Sequence, residues 1–207
     1  HRVIPVIREL SRQGARVSVD TMRASVAAQA IEAGASIVND VSGGLADPGM
    51  ARVVAEAGVP FVVMHWRGHS DIMQDRTSYA DVVADVCQAL AGRVEDLCAG
   101  GVGRDQLILD PGFGFAKLAE HNWSLLARLD ALQSLGFPVL VGTSRKTFLG
   151  TVGVPPGEAP RPPAQRDAAT AATTVIAALA GVWGVRVHDV ASSVDALRVV
   201  SAVEAAR

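Results

Sequence analysis

Residues 15–40 read ARVSVDTMRASVAAQAIEAGASIVND. A short apolar run, Ala15–Asp20, gives way to a helical pattern, Arg23–Ala33, which stops at Gly34; a second apolar run, Ser36–Asp40, follows. Runs this short and this uniformly apolar mark strands covered on both faces, as in a parallel sheet. Glycine just past a helix is a common C-terminal stop. A strand–helix–strand unit of this kind joins two parallel strands through a right-handed crossover.

The alternation repeats outward from that unit. Further strands are expected at Phe61–His65, Gln106–Asp110, Val139–Thr143 and Gly184–Asp189. Asp47 followed by Pro48 reads as an N-cap with proline at the first helical position, and Met50, Val53, Val54 and Ala57 keep helical spacing as far as Gly58. Helices are also expected over Tyr79–Ala99, Glu120–Leu135, Asp167–Ala180 and, capped by Ser193, Val194–Ala206. The order is one helix and then six strand–helix units, which fits a doubly wound open sheet or a (β/α) barrel. No linker or internal repeat interrupts it, so a single domain over residues 1–207 is expected.

Composition narrows the classes. Of the 207 residues 49% are hydrophobic, enough for a sizeable core. A net charge of −2 gives no global reason to expect a nucleic acid or a membrane surface as partner. No apolar run reaches the ~18 residues of a membrane helix. Cys87 and Cys98 lie eleven residues apart on one expected helix. That separation is about 16 Å along the axis, too far for a disulfide, and two reduced thiols suit a cytoplasmic protein. The chain begins HRVIPVIRELSRQG, without an initiator methionine and as though already inside an amphipathic helix, so an N-terminal truncation is expected.

The strand ends carry the chemistry. They read SVDT with Asp20, VND with Asn39 and Asp40, VMH with Met64 and His65, LDPGFGF with Asp110, GTSRK with Ser144, Arg145 and Lys146, and RVHD with Arg186 and His188. In a parallel sheet these C-terminal ends share one edge, where sites form. Arg186 and His188 are two residues apart and so face the same way. A guanidinium on a buried strand is costly unless an anion meets it. Taken singly each residue has a plainer role: Asp20 as a cap, Asp110 before Pro111 as a turn former, His65 as a core histidine, His69 and His121 as solvated. No His-x-x-x-His spacing suggests a zinc site, Ser144 lacks the G-x-S-x-G elbow, and GFGFAK fails the phosphate-loop spacing. Together, Arg186, His188, Lys146 and Arg145 form a cationic set, and Asp20, Asn39 and Asp110 a carboxylate–amide set. The first suits a phosphate or diphosphate; the second suits a guanidine-like edge, whose two parallel N–H groups match a carboxylate.

The motifs SVDTMR, IVNDVSGG, VMHWRG, LILDPGFGFAK, VLVGTSRKTFLG and GVRVHDV resemble dihydropteroate synthase across nearly the whole chain. The resemblance implies a (β/α)8 TIM barrel whose strands three to eight are those seen here. It also implies a region before His1 that holds two more strands, an asparagine binding a Mg²⁺–diphosphate, and an RPG loop; the 207 residues alone are expected to be catalytically incompetent and a longer parent competent. The implied reaction joins 6-hydroxymethyl-7,8-dihydropterin diphosphate to 4-aminobenzoate with loss of diphosphate, in folate biosynthesis, by a transferase that is a sulfonamide target. Mg²⁺ is the implied cofactor and a homodimer the implied assembly. By the same resemblance Asp20, Asn39 and Asp110 bind the pterin's pyrimidine edge, with Lys146 on the other side of the ring, Met64 as an apolar wall, and Phe115 and Gly142 lining the site. Arg186 packs on the pterin and with His188 holds the diphosphate. Ser144 and Lys146 place the aminobenzoate, with Arg145 adjoining.

Two alternatives share much of this pattern. A pterin-binding methyltransferase would need no diphosphate or aminobenzoate site, which TSRK and RVHD argue against. A non-catalytic paralogue would keep the barrel as a binding module, and the intact set from Asp20 to His188 argues against that. A Schiff-base lysine at Lys146 is disfavoured by its cationic neighbour.

Overall fold

The computed structural model describes residues 2–68, 77–155 and 157–207. His69 and most of the loop after the third strand lie outside the described residues. The chain divides into two compact units, His1–Trp66 with Gln88–Asp110, and Arg67–Cys87 with Pro111–Arg207.

The first unit is built on four parallel strands in the order β1 (Ser18–Asp20), β2 (Ile37–Asp40), β3 (Phe61–Met64), β4 (Leu107–Asp110). Sequential order with parallel pairing is what repeated crossovers of one hand produce. Around them lie α1 (Ile4–Arg12), α2 (Ala24–Glu32), α3 (Met50–Ala57) and part of α4 (Val82–Ala99). Val38, Phe61, Val63, Leu107 and Leu109 are fully buried on the strands, as are Ala27, Ala30, Met50, Val54 and Leu97 on the helices. The unbroken apolar runs of the sequence are therefore two-sided strands.

Asp47 does not cap α3, which starts at Met50. Its carboxylate takes the N–H of Gly49 at 2.9 Å and that of Ala24 at 2.8 Å, so it ties the start of α2 to the turn before α3. The long fourth helix starts at Val82 rather than Tyr79, because Asp81 accepts the N–H groups of Val83 and Ala84 and acts as N-cap. Tyr79 stays outside it, its hydroxyl donating to the Ala116 carbonyl at 2.9 Å and its ring 3.8 Å under the Arg67 guanidinium.

The second unit pairs β5 (Leu140–Val141) with β6 (Gly184–Val185), again parallel. Its helices are α5 (Ala119–Ala127), α6 (Leu129–Gln133), the one-turn α7 (Thr147–Gly150), α8 (Asp167–Leu179) and α9 (Val190–Ala205). The single helix expected over 120–135 breaks at Arg128, whose φ/ψ of −128°/47° is not helical. The last helix begins at Val190, capped by the Asp189 carboxylate on the Ser192 N–H, while Ser193 gives its hydroxyl to the Asp189 carbonyl. Both strands are shorter than the sequence suggests. Beyond Val141 and Val185 side chains take over the hydrogen bonding: Thr143 meets Thr173 hydroxyl to hydroxyl at 2.7 Å, and Ser144 meets His188.

Candidate functional site

In the first unit the polar residues sit at the ends of neighbouring strands. Asp20 lies opposite Asn39, and Met64 opposite Asp110. Asn39 donates from Nδ2 to Asp20 Oδ2 at 3.0 Å. Asn39 Oδ1 is buried and, among the described residues, has no hydrogen-bond partner. Such an orphan acceptor is costly unless a ligand supplies a donor. Asp20 is exposed, while Asn39 and Asp110 are each only 8% accessible. The ladder continues one step past β4 through the His65 N–H on the Asp110 carbonyl at 2.8 Å. His65 itself is buried, in keeping with a core histidine.

Asp40 follows Asn39 and serves a different end. It is fully buried and accepts from the Ser42 N–H (2.8 Å), the Ser42 hydroxyl (2.7 Å) and the Gly44 N–H (3.0 Å). Burial pushes its carboxyl up, against the pull of these hydrogen bonds and of Arg93. It shapes the loop after β2.

In the second unit a cavity of about 400 Å³ is lined by Phe115, Lys117, Asn122, Arg145, Lys146 and Thr147 among others. Lys146 reaches the Phe113 carbonyl, and its ammonium lies 4.4 Å from the centre of the Phe115 ring. Its stem crosses Gly114, where φ is +73° and an added Cβ would come within 2.7 Å of Lys146 Cδ. Glycine is thus required twice over, for the left-handed backbone and for the close approach.

Ser144 is buried and bound to His188 twice: its Oγ accepts the His188 N–H at 3.1 Å and lies 2.9 Å from Nδ1. The two contacts tie the imidazole and the main chain of His188 to one hydroxyl. Arg145 forms a bidentate pair with Asp167, both contacts 2.8 Å. That pair holds the Asp167 carboxyl below the usual carboxylate range.

The GVRVHDV segment departs from the buried strand expected of it. The ladder ends at Val185, with one further bond from the Arg186 N–H to the Val141 carbonyl, and the side chains of Arg186 and His188 are exposed. Arg186 therefore carries no heavy desolvation cost. Gly142 adjoins this pair of short strands.

Sequence reasoning missed the scaffold under these residues. Lys117, only 6% accessible, donates to the carbonyls of Gly112 and Phe115 at 3.1 Å each. Asn122, on α5, accepts the Gly114 N–H at 2.6 Å and donates to the Leu118 carbonyl at 2.7 Å. Arg166, 7% accessible, donates to the carbonyls of Arg161 and Arg145. The one signal for Lys117 and Asn122 was their nearness to the doubled Gly-Phe motif.

Strand-end carboxylates and an amide in one unit, and clustered cations with a buried Ser–His pair in the other, on parallel α/β units, are features of a ligand-binding α/β enzyme. Residues 1–188 match the family described as pterin binding enzyme. The chain is 53% identical over 202 residues to a dihydropteroate synthase of Mycobacterium leprae, covering 97% of this chain and 71% of that one. It is 41% identical to the Xanthomonas albilineans dihydropteroate synthase solved in complex with 7,8-dihydropteroate, with a TM-score of 0.88 over 99% of this chain and 73% of that one. The Yersinia pestis dihydropteroate synthase solved as a sulfonamide drug complex is 37% identical, with a TM-score of 0.91 over 100% of this chain and 73% of that one. The chain belongs to the pterin-binding enzymes, among the dihydropteroate synthases, and its fold class is that of their (β/α)8 TIM barrel.

Proposed function

We propose that this chain supplies the substrate-binding residues of the dihydropteroate synthase reaction, the condensation of 6-hydroxymethyl-7,8-dihydropterin diphosphate with 4-aminobenzoate and release of diphosphate, an activity to be assayed on the full-length protein. The observation that supports it most is the row of acceptors at adjacent strand ends, with Asn39 Oδ1 buried and unsatisfied. A pterin's N–H and NH₂ edge would supply a donor for Asn39 Oδ1. On this reading Asp20, Asn39 and Asp110 hold that edge and Met64 forms an apolar wall. Phe115, Gly142 and Lys146 line the site. The cavity beside Phe115, with the Lys146 ammonium at its wall, suits the aminobenzoate carboxylate, and Ser144 and Lys146 set that substrate's position. A sulfonamide and 4-aminobenzoate should then exclude one another.

In the reaction the aminobenzoate nitrogen attacks the pterin methylene, the carbon–oxygen bond to diphosphate breaks, and the nitrogen loses a proton. Negative charge grows on the departing oxygens, where Arg186 and His188 stabilise it. The amine is neutral and nucleophilic, so no strong base is needed.

Mg²⁺ is proposed only as a companion of the diphosphate. Among the described residues no group of three or more His, Cys, Asp or Glu side chains gathers to hold an ion. Residues 1–207 are proposed to act as one domain. A homodimer is proposed as well, supported by the exposed Ile176, Leu179 and Trp183, and sedimentation tests it. A cytoplasmic location is proposed from the two free cysteines; among the described residues no helix is long and apolar enough to cross a membrane.

Arg186→Ala tests the assignment. Removing one placed donor should lower the rate of diphosphate release about 10²–10³-fold while free pterin binds nearly as before. Equal losses in both would contradict the role.

A further inference from the structure

Arg145 is one of two described residues other than glycine with a left-handed backbone, at φ +59°. An L-residue adopts that conformation only where its surroundings impose it. Here the surroundings are the start of α8. Arg166 donates from Nη1 to the Arg145 carbonyl at 2.7 Å. Thr170 receives the Arg145 N–H on Oγ1 at 3.2 Å. Asp167 takes the Arg145 side chain in the bidentate pair. One helical turn thus grips the residue by its N–H, its carbonyl and its guanidinium. The turn is itself secured, since Arg166 is 7% accessible and donates from Nε to the Arg161 carbonyl, and Thr170 returns its hydroxyl to the Arg166 carbonyl at 3.0 Å. Ser144 and Lys146 are the residues on either side of the gripped one.

We propose that Arg166, Asp167 and Thr170 are positioning residues which lock Arg145 in a strained turn, so that Arg145 acts as a strut that aims Ser144 and Lys146 rather than as a ligand of the substrate. This rests on the reaction assigned above. It differs from the expectation that Arg145 joins a cationic cluster for the ligand, because Nε and Nη2 of its guanidinium are engaged by Asp167.

Two substitutions separate strut from ligand. Asp167→Ala removes the lock and leaves the strain, so the turn relaxes and carries Lys146 with it. Arg145→Gly removes the guanidinium but suits φ +59° without strain. The strut predicts that D167A raises KM for 4-aminobenzoate and lowers kcat, together up to about 10²-fold in kcat/KM for a displacement near 1 Å, with KM for the pterin diphosphate within about twofold. R145G should retain more activity than D167A, and D167A added to R145G should cost nothing further. Amide hydrogen exchange at residues 144–147, which requires no turnover, should quicken in D167A, and Asp167→Glu should restore part of the protection. Thermal unfolding of each variant separates a local effect from a global one. The proposal is overturned if R145G loses more activity than D167A, or if exchange at 144–147 is unchanged in D167A. Absence of dihydropteroate formation by the wild-type protein would overturn the assigned reaction instead, and the exchange comparison would still decide the lock.

Discussion

Replacing Gly114 with alanine should disable the enzyme by a route that can be followed atom by atom. The residue sits at φ +73°, where an L-side chain costs about 1–2 kcal/mol. For a chain of this size that is a fall in Tm of about 2–8 °C. The new methyl would also lie 2.7 Å from Lys146 Cδ and 3.4 Å from Cγ, so the lysine stem must retreat by about 0.7 Å merely to reach tight contact at 3.4 Å. Misplacement of about 1 Å is worth up to about 10²-fold in rate, so kcat should fall between about 10- and 10²-fold. Gly136→Ala is the matched control. Its φ is +79°, yet nothing lies within 4 Å of the added Cβ. It should lose the same stability and keep its activity. Steady-state kinetics and thermal unfolding on both variants give the comparison. Wild-type kcat/KM in G114A, or an equal loss of activity in G136A, would refute the idea that the methyl acts through Lys146.

Other expectations follow from the same geometry. Asn122→Ala strips the Gly114 N–H and the Leu118 carbonyl of their partners in a buried place, and should lower unfolding free energy by about 2–4 kcal/mol, read from the urea midpoint at unchanged slope. Asp47, Asp81 and Asp189 are held below their ordinary values by hydrogen bonds to backbone N–H groups and, for Asp189, first by the Ser192 hydroxyl, so the stability they contribute is present above the usual carboxylate range and is lost as pH falls through their lowered values. Asp40 has the opposite sign: its carboxyl is raised, so its contribution is full below the ordinary value and is lost as pH rises through the raised one. Asp40→Asn should therefore steepen the loss of stability on acidification, measured as the slope of unfolding free energy against pH between about 6 and 3.

Much of the architecture was legible because it depends on local pattern. Runs such as LILD and FVVM are apolar on both faces, and glycines 34, 58, 101, 136 and 181 close turns with positive φ where helices were expected to end. The ends of elements were less legible because distant groups decide them. The break at Arg128 interrupts a leucine- and alanine-rich stretch, and β5 and β6 stop early because Thr143 and Ser144 find partners 30 and 44 residues away. The site residues were readable as polar side chains at strand ends. What holds them was not: the burial of Lys117 and Arg166 exists only once carbonyls from separate turns surround them.

The brevity of β5 and β6 limits how this half of the molecule can drift over generations. A long ladder is indifferent to side-chain identity, since main-chain amides do the holding. A two-rung ladder hands that duty to specific hydroxyls, a guanidinium and an imidazole, some of which are also proposed to meet the reactants. Variants that evade a competitive drug by altering those groups would loosen their own framework in the same step, so escape should arise more readily in neighbouring loops than among Ser144, Arg145 and His188.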